Sequence, residues 1–377
     1  MRDVAVIGAG PVGATLAALA AGTGLDIAVF ESRPAASGEQ RILALSEGSR
    51  SILEEARAWP PPCASITSIH ISQKGGPGRT VLDAADPSLE ALGYTVSYAA
   101  LESSLAARLR DASIPIVYGA ECREIALDGD SARVRFASGD EVRARLLVLA
   151  DGGANAAKIP GIGFNEKDYS QHAVTSLVTA DRPHGGRAYE RFTPQGPVAL
   201  LPVEERYALV WTATPQEAQR LLALDEAQFL RALQAHFGDR AGRFTAVARR
   251  AAFPLRLRTV NVPVALRTAI VGNAAQALHP IAGQGLNLGL RDAASLASVI
   301  ASTPAQRLGD LAMLETYRDS RRVDASRGVA FTDFLVSAFA DDSRIPTWGR
   351  GLALAALDLF PPARRALAAR MIHGAAR

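Results

Sequence analysis

The sequence is poor in cysteine and has no long apolar run. Only Cys63 and Cys122 occur in 377 residues, too few for a disulfide framework and typical of a reducing compartment. No stretch reaches the roughly 18 uninterrupted apolar residues that a membrane-spanning helix needs. The apolar start at residues 4–9 is too short for a secretory signal. We therefore expect a cytoplasmic protein, peripheral to the inner membrane at most.

Lysine and strong net charge are also scarce. Arginine supplies nearly all of the basic charge, the net charge is only +3 and the pI is near 9.0. No nucleic-acid-binding motif accompanies these arginines, so we expect a scattered basic surface and no nucleic-acid partner. His70, His172 and His184 lack metal-ligand spacing, and we expect no metal. The hydrophobic content of 48% instead predicts a globular protein with one large or two interleaved domains.

The first glycine-rich segment lies at the N-terminus. Residues 4–7 read as a strand, residues 12–22 as a helix and residues 26–30 as a second strand. Gly8, Gly10 and Gly13 form G-x-G-x-x-G between the first strand and the helix, and Glu31 ends the second strand. In a motif of this kind the glycines let the backbone approach a pyrophosphate, and the acidic residue binds a ribose hydroxyl. The pattern predicts a dinucleotide site and leaves NAD or FAD open.

The second glycine-rich segment spans residues 272–289. It follows an apolar strand pattern at 268–271 and leads into a helix that starts near Leu286. Glycines at such a turn expose backbone N–H groups, and the helix directs its positive end toward them. The segment predicts a site for an anion or an electron-rich ring.

Between these segments the pattern changes character. We expect a helix over 42–57, a strand over 66–72, a helix over 101–111, strands near Ile125 and Val134, and a strand over 146–150 that ends in Asp151-Gly152. Residues 169–257 read as short strands at 174–178, 188–192 and 208–214 with one helix at 216–237. That alternation suits an antiparallel sheet with a covering helix.

Taken together, these motifs resemble the class A FAD-dependent aromatic monooxygenases. Their order is a dinucleotide fingerprint, then Asp151-Gly152, then His279-Pro280 followed by a Gly-Gln-Gly-x-Asn run that ends at Asn287. Within that class the chain is most similar to the ubiquinone-biosynthesis hydroxylases (2-polyprenylphenol or 2-octaprenyl-6-methoxyphenol hydroxylases). The matches are Gly-Asn-Ala-Ala-Gln at 272–276, the run at 278–287, and Tyr-Glu-Arg-Phe-Thr-Pro at 189–194 with the segment up to residue 202.

The resemblance implies an α/β fold in which a Rossmann-like FAD-binding domain is interleaved with an antiparallel-sheet substrate domain, plus C-terminal helices. We assign residues 1–72, 96–168 and 262–330 to the FAD-binding domain. Residues 73–95 and 169–261 then form the substrate domain, and residues 331–377 a C-terminal helical segment.

The resemblance also assigns roles to residues. The expected FAD-binding residues are Gly8, Gly10, Pro11, Gly13, Glu31, Arg41, Asp151, Gly152, Gly272, Asn273, Gly283, Gly285, Leu286 and Asn287. The expected catalytic residues are Pro280 at the reactive edge of the flavin, His279 and Gln284. For His279, fixing the loop is the alternative to moving a proton. Tyr189, Arg191 and Pro202 would line the substrate pocket, although ordinary sheet roles are equally compatible with the pattern.

Three positions depart from the family pattern. The Asp-Gly motif usually continues to a serine and an arginine, where this chain has Asn155 and Lys158. Relatives often carry an arginine or glutamine where this chain has Tyr98. These departures concern the NAD(P)H contacts more than the FAD site.

The implied activity is hydroxylation of a polyprenylated phenol in ubiquinone biosynthesis. NAD(P)H would reduce bound FAD, and O2 would form a flavin C4a-hydroperoxide that the electron-rich ring attacks. Two alternatives stay open at this point. One is an FAD hydroxylase of a small soluble aromatic compound, and the other is a non-catalytic flavin-binding subunit of a quinone-synthesis complex. A homo-oligomer is also compatible with the sequence.

The tail at 345–377 combines apolar residues with later arginines. Such a segment suits an interfacial helix on anionic lipid. A C-terminal helix packed on the core is the alternative.

Overall fold

The computed structural model describes residues 1–39, 41–75, 78–83 and 90–339, together with 349, 356, 360, 362 and 363. In chain order, the strands of the described residues are β1 (Arg2–Ile7), β2 (Ile27–Glu31), β3 (Ile42–Ser46), β4 (Cys63–Ile66), β5 (Ser68–Gln73), β6 (Arg79–Asp83), β7 (Gly93–Ser97), β8 (Ile116–Tyr118), β9 (Cys122–Leu127), β10 (Ala132–Phe136), β11 (Glu141–Leu149), β12 (Phe164–Ala180), β13 (Arg187–Phe192), β14 (Val198–Val203), β15 (Arg206–Ala213), β16 (Phe244–Val247), β17 (Ala251–Val260), β18 (Val264–Ala265), β19 (Thr268–Ile270) and β20 (Gln276–Ala277).

The α-helices of the same residues are α1 (Pro11–Ala20), α2 (Glu47–Glu55), α3 (Tyr98–Asp111), α4 (Pro215–Ala223), α5 (Glu226–Phe237), α6 (Gln284–Ser302) and α7 (Leu311–Phe339). None of these helices is long and apolar enough to cross a membrane.

One sheet has a parallel centre that carries the first glycine loop. Its order is β18-β19-β11-β1-β2-β8, and β1 pairs in parallel with β2 and β11. Side chains of β1 alternate between two cores: Val4 and Val6 pack beneath α1 and α6, whereas Ala5 and Ile7 face the β9–β10 hairpin. Because parallel strands end at one edge, the loops after β1, β2, β11 and β19 meet there.

The second sheet is the nine-stranded one, with the order β20-β17-β12-β15-β14-β13-β5-β6 and β16 beside β12. One face is covered by α4 and α5, whose Leu221, Phe229 and Leu233 are buried against Val174 and Trp211. Its other face turns toward the edge where the glycine loops meet. The described residues thus confirm the expected α/β class with a large, mostly antiparallel second sheet.

The sequence-based prediction was wrong for two elements. The expected helix over 42–57 is strand β3 followed by helix α2, because β3 pairs antiparallel with the distant strand β7. Ser46 then starts α2 by accepting a hydrogen bond from the Ser49 N–H. The single helix expected over 216–237 is two helices. Its break lies at Leu224 and Asp225, where Asp225 and Gln228 form a capping box that starts α5.

The domain boundaries stay a prediction. The structure adds one detail, since β5, assigned almost entirely to the FAD-binding part, pairs with β6 and β13 in the nine-stranded sheet. Nearly all of the tail segment at 345–377 lies outside the described residues.

Candidate active site

A cavity of about 1300 Å³ lies between the two large sheets. It begins at the glycine loops of the parallel sheet and continues along the inner face of the nine-stranded sheet. Both glycine-rich segments recognised in the sequence border it.

The first glycine loop is shaped by backbone contacts that exclude side chains. A Cβ atom on Gly8 would lie 2.6 Å from the Ala150 oxygen, and one on Gly13 would lie 2.2 Å from the Gly8 oxygen. Gly10, in contrast, faces the cavity, and a Cβ atom there would meet only the Tyr98 hydroxyl, at 3.4 Å. No side chain caps α1 at Gly10, and Pro11 occupies its first turn. The positive end of α1 therefore opens onto the cavity.

Glu31 lies beside that loop and is held in place before any ligand binds. Its Oε2 accepts the Ala9 N–H at 2.9 Å, and its Oε1 accepts the Arg33 backbone N–H at 3.0 Å. Although burial disfavours its charge, hydrogen bonds from Arg33 and Ala9 hold the pKa of Glu31 below its ordinary value. A fixed carboxylate at the end of the second strand suits a ribose hydroxyl.

The second glycine-rich segment leads into α6 through a left-handed turn at Gly283, whose φ is +60°. The Asn287 side chain fixes this turn. Its oxygen accepts from the Ser46 N–H at 2.8 Å and the Ser49 hydroxyl at 2.6 Å, and its amide donates to the Gly283 carbonyl at 2.6 Å. The side-chain amide of Asn287 is thus occupied by contacts within the protein, and the residue borders the cavity together with Gly283, Gly285 and Leu286.

Helices α1 and α6 approach each other closely enough that both N-termini open onto one cavity. A Cβ atom on Gly289 would lie 2.8 Å from Val12 Cγ2 and 3.0 Å from the Gly272 Cα. Glycine at positions 272 and 289 therefore permits α6 and the loop before it to pack closely against Val12 of α1.

A buried carboxylate supports the second loop from behind. Asp292 accepts hydrogen bonds from the Gly272 N–H at 3.1 Å and from Arg321 Nε at 2.8 Å, and Gln276 donates to the same carboxylate. Arg321 also pairs with Asp324. This network joins the loop to α6 and α7.

The Asp-Gly motif forms a connected polar chain. Asp151 Oδ1 accepts the Gly153 N–H at 2.9 Å, and Oδ2 accepts the Asn155 amide at 2.6 Å. Lys158 Nζ donates to the Asn155 oxygen at 2.7 Å and to the Cys122 carbonyl at 2.6 Å. Two of the three departures from the family pattern, Asn155 and Lys158, therefore interact directly, and together with Asp151 they border the cavity.

These residues fit FAD. The glycine loop leaves space at Gly10 that a Cβ atom would narrow, and two helix N-termini face the same space. Glu31 offers a fixed carboxylate, and Arg41 borders the cavity with its guanidinium 5.3 Å from the centre of the Tyr98 ring. The described residues hold no group of three or more His, Cys, Asp or Glu side chains arranged for a metal ion.

The other half of the cavity is apolar. Its side chains come mainly from the nine-stranded sheet and α7, and Leu278 and Pro280, in the segment before α6, also line the cavity. The principal apolar residues are Ile69, Ile71, Leu82, Leu92, Phe192, Leu201, Val210, Phe253, Leu255, Phe331, Phe334 and Leu335. One carboxyl group, that of Glu190, lies among them. This half suits an apolar ligand with one polar group.

Most of the predicted site residues border this cavity. They are Gly8, Gly10, Pro11, Glu31, Arg41, Asp151, Gly152, Asn273, Pro280, Gly283, Gln284, Gly285, Leu286 and Asn287. Tyr189 touches the edge of the cavity, but its ring packs against Phe237 of α5 on the opposite face of the sheet, and its hydroxyl donates to the Arg240 carbonyl at 3.1 Å. Gly13 and Gly272 instead support the loops from behind, through the contacts described above.

Three predicted residues do not border it. His279 is buried, its Nδ1 accepts the Ile281 N–H at 3.1 Å, and Tyr169 packs edge-on against its ring. This geometry supports the loop-fixing alternative. Arg191 and Pro202 do not line the cavity because successive residues of a strand point to opposite faces. Arg191 donates to the Ser72 hydroxyl at 3.4 Å.

Several residues that border the cavity were not predicted from the sequence. Glu190, Phe192 and Leu201 alternate with the predicted residues on β13 and β14, and Phe331 and Phe334 belong to α7. The period-two pattern of β13 was visible, but only the sheet shows which of its two faces meets the cavity.

Comparison with known proteins identifies the family of this chain. The family described as "FAD binding domain" matches residues 1–332. The chain is 34% identical to ubiquinone hydroxylase UbiL of Rhodospirillum rubrum, over 97% of this chain and 88% of that protein. It is 30% identical to 3-demethoxyubiquinol 3-hydroxylase of Escherichia coli, over 94% of each chain.

Solved structures show the same fold. The p-nitrophenol 4-monooxygenase PnpA of Pseudomonas putida DLL-E4 superposes with a TM-score of 0.80 at 18% identity, over 99% of this chain and 98% of that one. PqsL of Pseudomonas aeruginosa, described as a probable FAD-dependent monooxygenase, superposes with a TM-score of 0.75 at 21% identity, over 90% and 97%. The cavity, the two glycine loops and these matches show that the chain belongs to the FAD-binding domain family, and within it to the FAD-dependent monooxygenases related to the ubiquinone hydroxylases.

Proposed function

We propose that this protein hydroxylates the aromatic ring of a polyprenylated phenol during ubiquinone biosynthesis, with NAD(P)H and O2 as co-substrates. The observation that carries the proposal is the continuity of one cavity, which runs from the FAD cradle into an apolar space walled by the nine-stranded sheet. The names of the Rhodospirillum rubrum and Escherichia coli relatives support the choice of substrate.

The geometry of the cavity supports the following assignment of the residues that would hold FAD. Gly8, Gly10 and the α1 N-terminus would bind the pyrophosphate, and Glu31 a ribose hydroxyl. The first turn of α6, at Gly285 and Leu286, would present backbone N–H groups and a positive helix end to the flavin ring. We also propose that residues 1–72, 96–168 and 262–330 form the FAD-binding part, except that β5 contributes to the sheet of the substrate part.

When bound, FAD accepts hydride from NAD(P)H and activates O2 for transfer to an electron-rich ring. The chain's own contribution is binding, orientation and the exclusion of water. Helix N-termini at Gly10 and Gly283 stabilise negative charge where they open onto the cavity. Apolar side chains such as Leu201 and Phe192 would hold the ring and its chain away from solvent.

The purified holoenzyme tests the proposal directly. We expect 2-farnesylphenol to stimulate NAD(P)H oxidation and to gain one oxygen atom from O2, detected by mass spectrometry with labelled oxygen. Phenol without the prenyl chain is the matched control. Equal stimulation by both compounds would support hydroxylation of a small soluble aromatic instead.

A deletion strain gives the second test. We expect it to accumulate an under-hydroxylated quinone precursor, and a plasmid copy of the gene should restore ubiquinone. A normal quinone content in the strain would contradict the proposed role. If the purified protein binds FAD yet oxidises no NAD(P)H with any prenylated phenol, a non-catalytic role in a quinone-synthesis complex becomes the better explanation.

We further propose peripheral membrane contact through the C-terminal segment. Its support is the composition of residues 345–377, which combines apolar residues with arginines. Deleting the residues after 345 should lower co-sedimentation with vesicles that contain anionic lipid. Unchanged partition of the truncated holoenzyme would reject this contact.

A further inference from the structure

Glu190 is a carboxyl group placed in an apolar part of the cavity. In the register of the sheet it lies opposite Ile71 of β5 and Ala199 of β14. These neighbours, together with Ile69 and Leu201 on the same strands, line the cavity. Nothing in the fold itself requires an acid at this position.

Its Oε1 atom has no hydrogen-bond partner within the described part of the chain and is shielded from solvent, whereas the residue as a whole is only partly buried and lines the cavity. Burial alone raises the pKa of Glu190 to about 7. The charged residues that line the cavity, such as Glu31, Arg41 and Asp151, belong to the cofactor half, and none of them contributes to this shift.

A buried carboxyl group without a partner is costly, because it loses its hydration and gains nothing in return. A ligand that donates a hydrogen bond would remove this cost. The aromatic substrate of the proposed function carries one such donor, its phenolic hydroxyl.

We propose that Glu190 binds the phenolic hydroxyl of the substrate and accepts its proton as the ring is hydroxylated, an inference that rests on the proposed function. The phenolic O–H bond breaks and a carboxyl O–H bond forms at Glu190. The electron pair left on the ring oxygen raises the electron density of the ring, which then attacks the oxygen that FAD and O2 supply. Afterwards the hydroxylated ring carbon releases its hydrogen to water as a proton, and Glu190 returns its own proton to the ring oxygen.

Glu190→Gln tests the assignment, since glutamine keeps the volume and removes the acceptor charge. The matched control is Glu205→Gln, an exposed acid on the β14–β15 turn. Both variants should bind FAD and melt like the wild type. Binding is measured by the change in flavin absorbance, with 2-farnesylphenol and its methyl ether as the probes.

We expect the wild type at pH 8.5 to bind the phenol about tenfold to a hundredfold more tightly than the ether, the range for a hydrogen bond to a charged group. The preference should shrink toward pH 6, because protonation of Glu190 on passing below about 7 removes the charged acceptor. Glu190→Gln should show little preference at either pH, whereas Glu205→Gln should match the wild type.

Turnover gives an independent measure. The hydroxylation rate should rise with pH through about 7 in the wild type and fall about 10²-fold or more in Glu190→Gln, the usual range for loss of a proton acceptor. Wild-type preference and pH dependence retained in Glu190→Gln would overturn the assignment. Preferential binding of the phenol without hydroxylation would reject the proposed function and proton acceptance by Glu190, and would leave only its binding role standing. Failure to bind either probe would overturn both.

Discussion

At the residue scale, glycine is needed for different reasons at different positions of the same motif. Gly13 cannot carry a side chain because a Cβ atom would enter the Gly8 carbonyl, whereas Gly10 has room for one until a ligand arrives. The fold therefore requires glycine at position 13, whereas we propose that bound FAD is what requires it at position 10.

Gly10→Ala should therefore fold with a melting temperature near that of the wild-type apoprotein yet be purified with much less FAD. The added methyl group would occupy the space through which the backbone approaches the pyrophosphate. Gly22→Ala is the matched control, since nothing lies within 4 Å of a Cβ atom there. Flavin content per chain and thermal melting measure the two effects. Normal FAD content in Gly10→Ala would contradict the assignment of this loop.

His279 allows a prediction about pH. Its Nδ1 accepts the Ile281 N–H and burial lowers the pKa of the ring to about 4 from an ordinary 6.5. Because the folded pKa lies below the unfolded one, the unfolded chain binds more protons between these values, and stability falls as the pH falls. The loss attributable to this ring is about 3 kcal/mol at 1.36 kcal/mol per pKa unit.

His279→Asn lacks this titration and keeps an acceptor for the Ile281 N–H. The stability of the wild type relative to the variant should therefore decrease from pH 7.5 to pH 4.5. Urea unfolding at several pH values measures the difference. Parallel curves for the two proteins would show that His279 is not held neutral by burial.

At the element scale, the proposed cofactor site depends on the contacts of α6 and α7 with the second glycine-rich segment. Asp292 of α6 accepts hydrogen bonds from the Gly272 N–H and from the Arg321 guanidinium of α7. Removing the Asp292 charge would leave Arg321 paired with Asp324 alone, in a buried network that has lost one of its two carboxylates.

Asp292→Asn should lower the unfolding free energy by about 1–3 kcal/mol, the range for a buried polar group that loses a partner, because Arg321 keeps its pair with Asp324. It should also lower FAD content. The double variant with Arg321→Gln should cost less than the sum of the two single changes, since the residues share one interaction. Glu217→Gln, which breaks an exposed pair with Arg220 on α4, is the control and should cost less than about 1 kcal/mol. Strict additivity in the double variant would contradict the coupling.

The helices and strands also show which parts of the fold and of the site could be predicted from the sequence. The glycine loops, Glu31 and the strands that precede them were predictable because each depends on neighbours close in the chain. Strand β3 was not, since Ile42–Ser46 contains good helix-forming residues and becomes a strand only by pairing with β7. Glu190 was missed for a similar reason. Its strand was recognised, but which face of β13 meets the cavity depends on pairing with β5 and β14.

At the scale of the whole molecule, the cavity has an apolar rim made by distant parts of the chain. Phe253 of β17 is 51% exposed and Phe334 of α7 is 60% exposed, and both border the cavity. Large exposed aromatic residues beside an apolar cavity are typical of an interaction surface.

Phe253→Ser combined with Phe334→Ser should raise the KM for a long-chain prenylphenol several-fold more than the KM for 2-farnesylphenol, because a long chain would extend past the rim. Leu266→Ser, at a residue that is 44% exposed and does not border the cavity, is the control. Steady-state kinetics in detergent measure both substrates. An equal rise for both chain lengths would show that the rim does not contact the prenyl chain.

The close packing of Gly272 and Gly289 against Val12 of α1 also has a consequence for protein synthesis. The first glycine loop leaves the ribosome early, but its partner at the start of α6 follows only after most of the chain has been synthesised. At the usual rate of translation the interval is on the order of tens of seconds. The nascent chain would therefore hold only half of the proposed cofactor site for most of its synthesis, and we expect flavin capture to be one of the last steps of its biogenesis.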